Sequence, residues 1–299
     1  MGSNQILKEK NRRSETIDAF VFIFPALLII SIFIIYPGIR LFWYSLTDIE
    51  LMGRGEFIGL KNFIKILSSY SFRKSLSVSA IFMAAVVVFQ TTLSLLAAVL
   101  VNDETPIIKM CRVLYFLPVV FSFVVVGYLW RGLYNSDYGL INEIISAIGF
   151  KKQGFLDSPD QALMSLIITC IWKTWPFFMM ILLAGLKEIP PSLYESAEID
   201  GAGKIRQFIA LTLPMMKRSI LFVLVITTMD SVVKVFVPVF VMTSGGPMGS
   251  TDMLVHHIWR TAFRLGKFGE ASAMSVILFL FVLIINLLQL KIGENDETT

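Results

Sequence analysis

Residues 187–217 read KEIPPSLYESAEIDGAGKIRQFIALTLPMMK, a long amphipathic connection between two apolar stretches where a helix bundle ordinarily uses a short turn. Pro190 and Pro191 stop the preceding stretch. Ser192 and Glu195 have the S-x-x-E spacing of a capping box, which predicts that a new short helix starts there. Gly201 ends it, Asp200-Gly201-Ala202-Gly203 makes a turn, and Lys204 to about Leu211 forms a second short helix with Ile205, Phe208 and Ile209 at helical spacing. Pro214 closes the segment. The expected product is two short helices at a sharp angle, with an exposed apolar face beside charged residues. Two readings of that face stay open, a knob for another protein's groove and an interfacial helix lying on lipid, because both demand the same amphipathicity.

The chain around this loop has 299 residues, 56% of them hydrophobic and 16% charged, with a mean hydropathy of +0.73. Soluble domains are about 45–50% apolar and about 25% charged, so the composition argues against a water-soluble enzyme and a nucleic-acid binder. Crossing a bilayer takes roughly 20 apolar residues, since the backbone must satisfy its own hydrogen bonds there. Six stretches qualify, at approximately 18–45, 76–101, 109–131, 161–186, 219–243 and 272–292. The first is too long for a signal-peptide core and is expected to be retained, with Pro25 and Pro37 as points of bending. Both termini then lie on one side. Lys8, Lys10, Arg12 and Arg13 favour the cytoplasm for the tail, although the Lys/Arg tally over all segments is a tie. The expected organisation is a cytoplasmic tail (1–17), a first transmembrane helix (18–45), an extracytoplasmic segment (46–75), a core of five transmembrane helices carrying the 187–217 loop (76–292), and a second cytoplasmic tail (293–299) in a multi-pass protein of the cell membrane.

Glu195-Ser196-Ala197, then Asp200-Gly201-Ala202, then Leu213-Pro214, resembles the EAA loop of binding-protein-dependent ABC import permeases. The likeness covers most of the chain and points to the carbohydrate-uptake branch, similar to maltose-type and glycerol-phosphate-type subunits. Phe57-Ile58-Gly59-Leu60 with Asn62-Phe63, Phe116-Leu117-Pro118 with Trp130, Gly139-Leu140-Ile141-Asn142, Thr243-Ser244-Gly245-Gly246-Pro247 with Thr251, and Phe268-Gly269-Glu270-Ala271-Ser272-Ala273-Met274 follow in the family's order and spacing. Two departures stand out. Ser196 replaces the loop's alanine, and Val237 replaces an acidic residue that many relatives carry, so a substrate role for that position fails here. The resemblance implies an all-α polytopic fold of six transmembrane helices, the type I ABC importer permease fold, in which the loop supplies cytoplasmic coupling helices seated in an ATPase cleft. It also implies a second homologous permease, two ABC ATPase subunits that hydrolyse ATP with Mg, and an extracytoplasmic sugar-binding protein, with membrane lipid around the spans and no nucleic acid.

No G-x-x-x-x-G-K-[ST] is present: Gly203-Lys204 is followed by Ile205, and Glu198 stands where the first glycine would fall. The chain therefore has no phosphate cradle of its own and no cofactor is expected in it; ATP and Mg belong to partner subunits. Glu195 is the expected charged contact to an ATPase, a role compatible with capping, while Asp200 and Gly201 shape the bend. An ionisable residue at mid-membrane costs about 2.5–3.5 kcal/mol, so Lys173, Asp230 and Lys234 each require a reason. Asp230 and Lys234 share a helical face and either neutralise each other or line a polar path. Sugars are held by aromatic faces beside polar groups, which makes Trp172, Lys173 and Trp175, Lys234 with Phe236, and Asn286 with Gln289 the substrate-path candidates; tryptophans in spans also serve as lipid anchors. Gly245-Gly246-Pro247 is either a plain turn or an external loop that docks the binding protein. Cys111 and Cys170 read as small buried hydrophobes, and His256-His257 lacks an HExxH partner, so no metal is expected. A stand-alone ion-coupled secondary transporter is the alternative; it predicts inverted repeats, which the two halves lack, and leaves the loop without a task.

Overall fold

A computed structural model describes residues 21–295 except 51, 52 and 54. Its helices, in chain order, are α1 (Val21–Ser45), α2 (Lys61–Ser68), α3 (Tyr70–Leu100), α4 (Pro106–Val120), α5 (Phe123–Leu133), α6 (Leu140–Ala147), α7 (Ala162–Lys187), α8 (Pro191–Ile199), α9 (Lys204–Met215), α10 (Lys217–Val233), α11 (Phe236–Met242), α12 (Leu254–Trp259) and α13 (Phe268–Asn295). Among the described residues α1, α3, α7 and α13 are long and apolar enough to cross a membrane alone, and two bent pairs, α4 with α5 and α9 with α10, bring the number to six if each counts once. The expected tail at 1–17 lies outside the described residues; of the expected tail at 293–299, residues 293–295 continue α13 and 296–299 lie outside the described residues.

Two of the expected spans are not single rods. The third breaks at Phe121–Ser122, where both residues are extended and Ser122 caps α5 by accepting from Val125 N–H; the arms meet at 97°. The fifth stops at Val233 and resumes as α11 beyond Lys234–Val235, because Pro238 can stand in a helix's first turn but not in its interior. Proline is handled differently at two other places. The turns Ser31–Ile35 and Phe208–Thr212 widen to π geometry just before Pro37 and Pro214, which relieves the clash of the proline ring with the carbonyl four residues back. Pro214 therefore does not close the second short helix, as its sequence position implied; α9 runs on to Met215.

The core is built on α3, α7 and α10. Phe82 and Val86 of α3 meet Leu166 and Cys170 of α7 with Val239 of α11, and Ala98 meets Met179, Leu182 and Val223 towards the 187–217 end. α13 packs on α10 and α12, and α1 lies outside it with none of its apolar window buried in the chain. A polar clasp at the opposite end fixes α1. Asn62, 5% exposed, donates to the carbonyls of Ser45 (3.0 Å) and Thr47 (2.8 Å). Gly269 N–H donates to Ile49 O (3.0 Å), a Cβ at Gly269 would run into Thr47 O, and Lys65 pairs with Glu270 (2.7 Å). The motifs beginning Phe57 and Phe268 are thus two halves of one junction.

Replacing Asn62 with Ala strands two buried carbonyls at about 1–3 kcal/mol for an unsatisfied group. The expected result is a lower melting temperature in detergent with faster protease cleavage between residues 46 and 60, read against the unmodified chain.

Candidate functional site

The 187–217 segment forms an elbow. α8 starts at Pro191 with Pro190 as its N-terminal flank and no side-chain cap, so Ser192 and Glu195 do not form the capping box. Proline's fixed φ at the first helical position starts the helix instead. At its far end Gly201 N–H bonds Glu198 O (3.0 Å) and Ala202 N–H bonds Ala197 O (2.9 Å), with Gly201 at φ +77°. This is a Schellman stop, which glycine adopts without the penalty a Cβ incurs. Tyr194 OH and Thr212 Oγ1 (2.9 Å) join α8 to α9, and Gln207 Nε2 donates to Ala202 O (2.9 Å). Ile189 and Met216, at the two ends of the elbow, are buried among Leu182, Leu186 and Val223 of α7 and α10.

The elbow's outer surface is apolar and uncovered by this chain. Ile199 is 87% exposed, Ile205 78% and Ile209 59%. Glu195, Ser196, Asp200 and Gly201 are exposed beside them, Ala197, Ala202 and Leu213 are half-buried, and Pro214 is exposed. Glu195 has no ion pair among the described residues.

Half-way along the core helices a small pocket opens between α3, α5, α7 and α10. Gln90, Thr174, Thr227, Asp230, Ser231 and Lys234 supply its polar lining, and Phe123 with Phe178 its apolar walls. Asp230 and Lys234 pair with each other at 2.6 Å. Thr174 Oγ1 lies 2.6 Å from Gln90 Oε1 and 2.7 Å from Cys170 O and donates its one hydrogen to either, while the Thr227 hydroxyl is buried with no partner among the described residues. Hydroxyls, an amide and an internally neutralised ion pair make a site suited to an uncharged polyhydroxylated ligand.

The remaining sequence candidates lie elsewhere. Trp172 packs on Trp130 (5.4 Å) and Trp175 on Tyr115 (5.4 Å), joining α7 to α5 and α4. Lys173 is turned away from the pocket, towards the end of α4. Phe236 belongs to an aromatic group with Phe240 (5.7 Å) and Trp259 (5.8 Å). Asn286 sits on α13 with its Oδ1 buried and without a partner among the described residues, and Gln289 donates to Thr228 Oγ1 (2.8 Å) across the α10–α13 seam. Gln90, Thr174, Thr227 and Ser231 stand outside the sequence candidates, which took amides only at Asn286 and Gln289 and no hydroxyl; mid-span amides and hydroxyls as a class include them.

The loop after α11 is held by a buried node. Asp252 accepts at Oδ1 from His256 Nδ1 (2.7 Å) and at Oδ2 from Arg260 (2.9 Å), with His257 Nδ1 3.0 Å away. Burial pushes the Asp252 carboxyl up, but the histidine hydrogen bonds and the Arg260 charge outweigh it and hold the group well below the usual carboxylate range. A Cβ on Gly245 (φ +84°) would sit 3.0 Å from the His256 ring and 3.1 Å from Asp252, so the Gly245-Gly246-Pro247 turn is pressed onto the node. Thr251 Oγ1 donates to Gly246 O (2.6 Å), and Lys74 Nζ donates to Met248 O (2.7 Å), which fastens the loop to α3. Gly246 and Pro247 border an open cleft shared with Arg131, Asn135 and Asp157. The i, i+4, i+8 spacing of Asp252, His256 and Arg260 is the signal in the sequence, although Asp252 itself precedes α12; the histidines were read as a metal question, and the aspartate was not singled out.

Residues 66–292 match the model of the family described as binding-protein-dependent transport system inner membrane component. The chain belongs to this family. It is 33% identical over 295 residues to the trehalose/maltose transport system permease protein MalF of Thermococcus litoralis, covering 98% of this chain and 99% of that one. It is 32% identical over 276 residues to the sn-glycerol-3-phosphate transport system permease protein UgpA of Pectobacterium atrosepticum, covering 92% and 93%. Its fold matches, with a TM-score of 0.84 at 23% identity over 97% of this chain and 98% of the other, a chain in the crystal structure of a bacterial ABC transporter involved in the import of the acidic polysaccharide alginate. The fold is therefore the type I importer permease fold that the sequence led us to expect.

Replacing Asp252 with Asn removes the buried carboxylate that His256 and Arg260 share, and a hydrogen bond to a charged group contributes about 1.5–3 kcal/mol; the expected result is a melting temperature lower by several degrees. The folded carboxyl titrates below its unfolded value. Its stabilisation is therefore complete above about pH 4 and is lost only as pH falls through the lower folded value. The difference between the two proteins should accordingly shrink as pH falls below about 4.

Proposed function

We propose that the chain is the permease of an ATP-driven, binding-protein-dependent importer for a sugar or sugar derivative, forming half of the translocation path beside a second homologous permease. Two ABC ATPases with ATP and Mg supply the energy, an extracytoplasmic binding protein delivers the substrate, and this chain has no ATPase site of its own. The carrying observation is the elbow: an apolar tip of Ile199, Ile205 and Ile209 that this chain leaves bare, set at a fixed angle by Gly201 and rooted in two core helices. A short rigid helix pair of this kind fits a groove in a soluble partner, with Glu195 and Asp200 as charged contacts at its rim. Docking there places the elbow in the cytoplasm, and an even number of spans brings both termini to the same side. The Gly245-Gly246-Pro247 loop and its cleft then face outwards, where substrate arrives.

Trehalose and maltose, which one relative's name gives as its substrates, are uncharged polyhydroxylated compounds, and the mid-membrane pocket offers matching hydroxyl and amide partners. Transport follows as a two-state shift: nucleotide-driven closure of the ATPases moves the elbow, and α7 with α10 carries that movement to the pocket between them.

The test is co-purification from membranes in mild detergent. Ile199→Asp with Ile205→Asp, and separately Gly201→Leu, are expected to insert normally, keep the second permease, lose most of the ATPase, and abolish ATP-dependent uptake. Glu195→Ala is expected to weaken the ATPase contact without abolishing it. Full ATPase retention in the double aspartate variant would sink the docking role of the elbow.

A further inference from the structure

The third span contains a break that the chain has to repair. An α-helix leaves its last carbonyls without partners, and in hydrocarbon no water answers them. The start of α5 supplies its own bonds, from Val125 N–H to Ser122 Oγ (3.3 Å) and from Val126 N–H to Ser122 O (3.1 Å). The end of α4 does not: Phe121 is extended (ψ 148°), and among the described residues it makes no capping bond back to α4.

The group that reaches it comes from another span. Lys173, in the middle of α7 and 6% exposed, places Nζ 3.3 Å from Val119 O and 3.5 Å from Pro118 O, and 4.6 Å from the centre of the Phe123 ring. One amino group therefore touches both arms of the break, the carbonyl end of α4 and the first residue of α5. Its neighbours on α7, Cys170 and Thr174, line the mid-membrane pocket, and so does Phe123.

We infer that Lys173 is a positioning residue whose amino group clasps the two arms of the broken third span to α7 and thereby sets the wall that Phe123 gives to the pocket. Identifying that pocket with a sugar path rests on the proposed function; the clasp does not.

Cys170 reports on it directly. With Cys111 replaced by Ala, Cys170 is the remaining cysteine, buried one turn before Lys173. The rate at which a small methanethiosulfonate reagent labels Cys170 in intact membranes is measured for this parent, for Lys173→Arg and for Lys173→Met. Slow labelling is expected in the parent and in the arginine variant, which keeps N–H donors. Labelling about tenfold faster is expected in the methionine variant, which fills the space without them. Equal labelling in the parent and an inserted methionine variant overturns the clasp. Should the methionine variant not reach the membrane, Lys173→Gln is compared with Lys173→Arg: faster labelling in glutamine, whose shorter reach falls away from the carbonyls, supports the clasp, and equal labelling overturns it. Labelling is read without any transport, so failure of the clasp and failure of the sugar-importer reading are separate results.

Discussion

Hydrocarbon offers no hydrogen-bond partner, and most of this chain's construction answers that constraint. A continuous helix meets it by closing every backbone bond on itself, but a transport subunit built only of continuous helices has nothing that bends. Here the third and fifth spans are interrupted, and polar groups are brought in where the interruptions lie: Lys173 at the carbonyl end of α4, and Asp230 paired with Lys234 where α10 gives way to α11. Both sites lie at or beside the pocket between α3, α5, α7 and α10. The ionisable residues in the spans thus collect around one place, as expected where side chains must line a path and keep each other neutral.

The two ends of the molecule are built on different terms. At the elbow, the structure leaves apolar surface bare and fixes its angle with a glycine that tolerates positive φ, which suits a lever that needs a partner. At the opposite end, apolar and polar groups are sealed within the chain: Asn62 and Gly269 tie α1 to α13, and Asp252 ties the Gly245-Gly246-Pro247 turn to α3 and α12. On the proposed reading a movement at the elbow passes along α7 and α10 to the pocket, while the sealed end keeps the outer loops in register.

Much of this was legible in the sequence. Hydropathy located the spans, since an apolar run long enough to cross a bilayer leaves few alternatives, and the Asp200-Gly201 turn followed from glycine's conformational freedom. What escaped were the features that composition averages away. The break at Phe121–Ser122 lies inside an unbroken apolar run, so a window across it registers only membrane. Ser192 was read as a cap because the S-x-x-E pattern is correct in form, yet Pro191 had already started the helix. Lys173 was a substrate-path candidate because aromatic residues flank it in sequence; the carbonyls it reaches, those of Pro118 and Val119, are more than fifty residues away and carry no local signal. Local pattern identifies elements and caps; it does not reveal which span supplies a bond to another.

The central claim is that this chain moves a polyhydroxylated solute only when driven through its elbow by separate ATPases. It is tested most directly by uptake of radiolabelled maltose, trehalose and sn-glycerol-3-phosphate into proteoliposomes containing this chain alone, or together with its co-purified permease, ATPases and binding protein. The account predicts uptake of at least one of these only with the full set and with ATP on the elbow side. Uptake by the chain alone, driven by a proton or sodium gradient, would contradict it.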